Sequence, residues 1–330
     1  MRLLRVELRR MLARRLVQVM ILLAVLIAGL ALWGTSEQIS SLDQTQAEAQ
    51  RWYDESLVYW EQSQQPEVIE ACLADQERER QVSGDPQLDF GCQMPQPRIE
   101  DFQVQPSTMI EVYRELFSQL ALPLLFLSLV MGSTAAAAEF THRTIGTWLT
   151  FEPRRDRVYA AKAGAGALAA LPVAGAGVAL LALGVAAIFR VNGIDDQLTG
   201  AHWGELSWQA ARIVGLASVM GAVGVAAGML LKHTGAVLGV SLGYSFVVEG
   251  LLGSSPWGQQ LRQWFLTNAV QAWVKGGHTL FDYVCTNPET GDCREVTTLI
   301  SQGQGAAVIS IVAVAVIALS WWVFRRRDID

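Results

Sequence analysis

Six long apolar runs punctuate the chain: Leu16–Trp33, Leu116–Ala138, Ala161–Phe189, Trp208–Leu231, Thr234–Leu252 and Gly305–Phe324. Each is near or above the ~20 residues that an α-helix needs to cross a ~30 Å hydrocarbon core. The third run is long enough to tilt or to kink at Pro172. The second carries Pro123, which neighbouring helices can accommodate in a bundle. Only Lys232 and His233 separate the fourth and fifth runs, which predicts a tight helical hairpin.

The polar stretches between the runs are patterned as well. Leu4, Leu8, Met11 and Leu12 fall on one helical face with arginines opposite, so residues 1–15 predict an amphipathic helix at the membrane surface. A cleaved signal peptide is the other reading of the first run, and the patterned, arginine-rich start argues for a retained span. In the long segment 34–115, Ile39, Leu42, Ala49, Tyr53 and Trp60 approximate a 3.5-residue stripe. Pro66 can open a second helix carrying Ile69, Cys72 and Leu73. Residues 36–82 therefore predict a helical hairpin, closed by the turn Ser83-Gly84-Asp85-Pro86 and followed by extended or irregular chain to about Pro106. In 253–304, Trp257, Leu261, Trp264, Phe265, Val270 and Trp273 predict a short interfacial or re-entrant helix. CTNPETGDC, from Cys285 to Cys293, reads as a turn that a disulfide can close.

The fold class expected is an all-α integral membrane protein. Its order is an interfacial helix 1–15, TM1 16–33, an outer segment 34–115 with a small helical insertion, and TM2 116–138. A cytoplasmic segment 139–160 follows, then TM3 161–189, an outer loop 190–207, TM4 208–231, TM5 234–252, an outer loop 253–304, TM6 305–324 and a tail 325–330. Composition agrees: 51% of residues are hydrophobic and 17% charged, against roughly a quarter charged in soluble domains. Charge sets the orientation. Fifteen of the 25 basic residues fall on one side, in the four short segments before TM1, between TM2 and TM3, between TM4 and TM5, and after TM6, with Lys162 counted at the entry to TM3. The positive-inside rule makes that side, and both termini, cytoplasmic. From Gly34 to Arg114 there are sixteen acidic residues and five arginines, an acidic exterior.

All four cysteines, Cys72, Cys92, Cys285 and Cys293, are external in this topology. They suit two disulfides, Cys72–Cys92 and Cys285–Cys293, in an oxidising compartment; the alternative is four free or metal-binding thiols. Gly224 and Gly228 on TM4, and Gly235, Gly239 and Gly243 on TM5, repeat the spacing that lets membrane helices approach closely, either within the chain or at a subunit interface. Glu249, the acidic residue inside TM5, reads either as part of a transport pathway or as a carboxylate reaching interfacial water.

Catalytic chemistry is not evident. There is no G-x-x-x-x-G-K-[ST] for nucleotide phosphates. His142, His202, His233 and His278 are scattered, without a metal-ligand pattern. The chain is therefore not expected to be an enzyme, and no metal site or nucleic-acid partner is expected. The segment EFTHRTIGTWLTFEPRRDRVYAAK remains to be explained. Ile145, Trp148 and Leu149 share a helical face, Phe151 follows, and Pro153 blocks continuation. A positive-inside anchor accounts for Arg154, Arg155 and Arg157 but not for an apolar face, which wants a groove in lipid or in a partner protein.

At this point the sequence resembles the ABC-2 family of transporter permease subunits, in topology over essentially the whole chain. The family's segment between spans two and three is matched by Glu139, Gly146-Thr147, Pro153 with Arg155 or Arg157, and Lys162 entering the third span. The resemblance implies that residues around Ile145, Gly146, Thr147, Trp148, Leu149 and Phe151 form a coupling helix docking into a separate ATPase subunit. ATP and Mg would be bound by that partner, with no cofactor in this chain. It also implies a second permease subunit, as homodimer or heterodimer, membrane lipid around both, and a bacterial inner membrane location. By family, export is the expected direction. Two departures from the family pattern stand out: Gly146-Thr147 sits late after Glu139, and the large first outer segment is additional. The rival from another class is a membrane sensor or assembly factor whose outer hairpin binds a ligand; an intramembrane enzyme is a third reading.

Overall fold

The computed structural model describes residues 2–326 except 86, 104–106, 143, 145, 147–149, 151–152, 195–197 and 288–291, with backbone alone for 2, 43, 256, 283–287 and 292–294. Helix α1 (Arg2–Leu12) precedes six helices long and apolar enough to cross a membrane: Arg15–Ser40, Met109–Thr141, Arg155–Val191, Gly200–Leu231, Thr234–Leu252 and Gln302–Arg326. These are called the first to sixth spans below. The chain forms two compact units, Met1–Trp33 with Thr108–Asp330, and Gly34–Ser107.

In the larger unit, the second, third and fourth spans make the core because small residues let their backbones touch. A Cβ on Gly224 would lie 2.3 Å from the Leu129 carbonyl oxygen, and one on Gly228 would lie 2.5 Å from that of Ser133. Gly132, Gly166 and Gly221 are equally closed in by backbone. This is the close packing that small-residue spacing permits in lipid. Hydroxyls add ties to backbone carbonyls: Tyr113 to Ala182 at 2.7 Å, Tyr159 to Ile317 at 2.8 Å and Ser320 to Ala226 at 2.7 Å. Outward-facing Leu22, Leu26, Leu183, Val240, Phe246 and Ile311 are exposed, the surface a bilayer would cover.

The fourth span ends at Lys232, whose φ of 62° is the left-handed conformation usually given to glycine at a helix C-terminus. The fifth span is regular only over Thr234–Gly243 and then widens into a π-helix, Tyr244–Leu252, which no sequence signal announced. Its face carrying Gly235, Gly239 and Gly243 meets nothing within 4 Å at any of the three glycines. The pattern on the fourth span is thus spent on packing within the chain, whereas the same pattern on the fifth is not.

Past the fifth span lies the aromatic-rich region, with a short amphipathic helix at Leu266–Lys275. A two-stranded antiparallel sheet follows, β1 (Gly277–Asn287) and β2 (Asp292–Ser301). The all-α expectation did not include this hairpin. Its strands are rich in β-branched and aromatic residues, as in Thr279, Phe281, Val296, Thr297 and Thr298, and Leu280 and Ile300 bury against Ala272. The register sets Cys285 opposite Cys293. Whether they bond lies outside the described side chains.

The smaller unit is built on helices Leu42–Ser63 and Pro66–Ser83. Pro66 occupies the first turn of the second helix, where its missing N–H costs nothing, and Gly84 ends that helix at φ 71°. A Cys72–Cys92 disulfide staples the following chain to this helix. Alongside it, Gln76 Oε1 accepts from the Phe90 N–H at 2.9 Å, and Trp60 Nε1 donates to the Met94 carbonyl at 2.8 Å.

Candidate functional site

The segment between the second and third spans starts and ends on one buried ion cluster. Glu139 sits in the last turns of the second span and Lys162 in the early turns of the third. Lys162 Nζ lies 2.8 Å from Glu139 Oε1 and 2.6 Å from Oε2, with hydrogen-bond geometry to Oε1. It also donates to Glu7 Oε1 at 2.8 Å. All three side chains are only 5–6% exposed. Arg14 approaches from the turn after α1: its Nη1 donates to the Ala135 carbonyl at 3.1 Å and its Nη2 stands 3.9 Å from Glu139 Oε1. Arg10 Nη1 stands 3.9 Å from Glu7 Oε1. Two buried carboxylates are therefore balanced by one buried ammonium and two partly exposed guanidinium groups. Buried charge is tolerated on such terms, when paired and hydrogen-bonded.

The sequence had singled out Glu139 and Lys162 but not Glu7. The signal was there: Glu7 is the only acidic residue before Glu37, set on the stripe side of an arginine-rich helix. Its burial rotates α1 relative to the expected face. Glu7 and Met11 are buried, Leu4 and Leu8 are half-buried, and Leu12 is 41% exposed.

Further ties run from the start of the third span to the end of the sixth. Arg155 Nη1 donates to the carbonyls of Phe324 at 3.3 Å and Arg325 at 3.2 Å, satisfying acceptors that a helix C-terminus leaves open. Asp156 Oδ1 accepts from Trp321 Nε1 at 2.8 Å and pairs with Arg325 Nε at 3.4 Å. Tyr159 packs against Phe324 with ring centroids 6.0 Å apart, beside Ala136, Val225, Ala226 and Met229. Arg155, expected at the docking surface, is thus engaged within the chain. Arg157 and Pro153 are exposed, and Gly146 has nothing within 4 Å of where a Cβ would stand. Ile145, Thr147, Trp148, Leu149 and Phe151 lie outside the described residues.

At the opposite end of the spans, Glu249 projects from the π-helical turn toward the start of helix Leu266–Lys275. Its Oε1 accepts from the Thr267 N–H at 3.0 Å and its Oε2 pairs with the Thr267 hydroxyl. The Tyr244 hydroxyl accepts from the Leu266 N–H at 3.1 Å. Two side chains of the fifth span thus cap free N–H groups of that helix, where a carboxylate is electrostatically favoured. Lys275 pairs with Glu115 at 3.2 Å at the helix's other end, and Gln271 donates to the Ser118 carbonyl at 3.2 Å. Arg114 grips Glu205 through two bonds of 2.7 Å. Among the described residues no group of His, Cys, Asp and Glu side chains could hold a metal ion.

Six apolar helices, glycine-mediated packing and an apolar outer surface define a multi-pass membrane protein. The family described as ABC-2 family transporter protein matches residues 1–329, and the chain belongs to that family of ABC transporter membrane permeases. Searches of the curated proteins and of the solved structures return no match to the chain.

Proposed function

We propose that the chain is the permease subunit of an ATP-driven exporter, with the 139–160 segment as the element on which a separate ATPase subunit acts. The observation that carries this reading is the closed base of the segment: Glu139 and Lys162 meet at 2.6 Å, and Glu7 joins α1 to the same ammonium. A segment clamped at both ends to one rigid node moves the second and third spans and α1 together when it is pushed. The bonds from Arg155 and Asp156 extend that movement to the sixth span. A plain surface anchor requires none of these links.

On this reading both termini face the cytoplasm of a bacterial cell, ATP and Mg are bound by the partner, and two permease subunits enclose the substrate route. The unoccupied face of Gly235, Gly239 and Gly243 supports pairing with a second permease subunit. Glu249 acts as the fastener of the outer helix, a reading its two contacts with Thr267 support.

The test is reconstitution with an ATPase subunit in proteoliposomes, reading transport per ATP hydrolysed and retention of the partner on a column. The isolated chain is expected to hydrolyse no ATP. Trp148→Ala with Ile145→Ala removes the apolar face and is expected to weaken partner retention about 30-fold, the effect of losing one ~2 kcal/mol anchor. Retention and coupling equal to wild type in this variant would reduce the segment to a charged anchor.

A further inference from the structure

A cleft runs between the fourth and sixth spans just below helix Leu266–Lys275. It is lined by Trp208, Arg212, Gly215, Val219, Trp273 and Ile309 among others, and its volume of about 280 Å³ far exceeds the ~30 Å³ share of one water. The lining is almost wholly apolar, with one cation at the mouth. Arg212 lies one turn inside the fourth apolar run, where a charge is costly and calls for an explanation. Its Nε donates to the Trp208 carbonyl at 3.4 Å and its Nη1 to the Trp273 carbonyl at 3.0 Å. These bonds fix the guanidinium in place and leave donors over. Of the nearby acids, Glu115 pairs with Lys275, and Glu205 spends both carboxylate oxygens on Arg114, standing near enough to Arg212 for their charges to interact but making no ion pair with it. Among the described residues no carboxylate pairs with Arg212.

We propose that this cleft binds an anionic phospholipid, with the phosphate on Arg212 and one acyl chain along Gly215, Val219 and Ile309. Three features select a lipid over a soluble anion. The positive charge stands at the depth where Trp208 and Trp273 mark a membrane interface. The walls below it are apolar, and the cleft opens on the outer surface of the bundle, Trp208 above the charge being 63% and Val219 below it 39% exposed. Guanidinium also matches phosphate oxygens through paired N–H donors. The site is separate from the 139–160 segment, and this inference stands whether or not that segment couples to an ATPase.

The experiment is tryptophan quenching in phosphatidylcholine vesicles holding the full-length chain. It compares phosphatidylglycerol and phosphatidylcholine brominated on the same acyl chain. The site's own signal is the difference between the wild-type chain and Trp208→Phe/Trp273→Phe. In that signal the anionic lipid should be preferred about five-fold, the effect of the ~1 kcal/mol that one basic residue gains from anionic lipid. Arg212→Gln should remove the preference and leave phosphatidylcholine quenching in place. A Cβ at Gly215 meets nothing within 4 Å, so a larger residue can start there, and Gly215→Leu, which projects into the cleft, should lower quenching by both lipids. Millimolar inorganic phosphate should change nothing. Equal quenching by the two lipids, a preference that survives Arg212→Gln, or loss of the preference to free phosphate would each overturn the proposal.

Discussion

The Lys162 ammonium is the side chain on which most depends, because among the described residues it is the one buried cation, and it faces two buried carboxylates. Removing it leaves Glu7 and Glu139 facing each other out of water, with Arg14 still 3.9 Å from Glu139 as weak compensation. Breaking one partner of a buried ion pair typically costs about 3–5 kcal/mol. Lys162→Met should therefore lower the unfolding temperature in detergent more than any single surface substitution. Adding Glu7→Gln and Glu139→Gln should recover part of the loss, since the desolvated charges go with the cation. A Lys162→Met chain that melts with wild type would mean that the cluster is hydrated and carries no such strain. Half of this cluster was legible in the sequence. Glu139 and Lys162 stood at positions the family resemblance marks, and Glu7 stood on the apolar stripe of its helix, but periodicity does not say which buried partner a glutamate there would meet. That follows from where α1 lands, which is tertiary information. Arg212 was overlooked for a related reason: one arginine near the end of an apolar run reads as a snorkelling side chain until its carbonyl partners are seen.

At the level of helices, one glycine spacing serves two different ends. Gly224 and Gly228 admit the backbone of the second span, whereas Gly235, Gly239 and Gly243 face open space. Gly224→Leu should thus drive a side chain into the Leu129 carbonyl and cost at least the ~1–3 kcal/mol of overpacking. Gly239→Leu should leave the unfolding temperature of the isolated chain unchanged. If the open face meets a second permease subunit, Gly239→Leu should instead lower the dimer fraction in light scattering or crosslinking. Equal effects of the two substitutions on folding would contradict the packing described. The spans themselves were readable from composition, because eighteen or more apolar residues leave few alternatives to a membrane helix. The β1–β2 hairpin was not. Its strands lack a clean two-residue alternation, Pro288 and Gly291 draw attention to the turn, and the aromatic helix just before it sets a helical expectation. The widening of the fifth span at Tyr244–Leu252 has no periodic signature, and its reason is tertiary: it belongs to the turn that delivers Tyr244 and Glu249 to the next helix.

For the molecule as a whole, two units face two different stability problems. The spans are held by close helix packing and need no covalent help. The Gly34–Ser107 unit is built on the helices Leu42–Ser63 and Pro66–Ser83, and among its described side chains few are buried, Ala49, Gln76 and Cys92 among them. A unit of that size buries too little apolar surface to be secure without a staple. The Cys72–Cys92 bridge supplies one across a sequence separation of 20 residues. Closing a loop of about that length is worth roughly 3 kcal/mol, most of a small unit's margin. Cys72→Ser with Cys92→Ser, or reduction of the native protein, should therefore open 34–107 selectively. Limited proteolysis with mass-spectrometric mapping should find new cuts between Pro66 and Phe102, while the membrane-spanning fragments stay intact and helical by circular dichroism. Loss of the spans together with the insertion would mean that the two units fold as one. Unchanged cleavage after verified reduction would mean that the Trp60–Met94 and Gln76–Phe90 bonds hold the insertion without the bridge. That is an unfavourable comparison for two hydrogen bonds, each worth about 1 kcal/mol and one of them exposed.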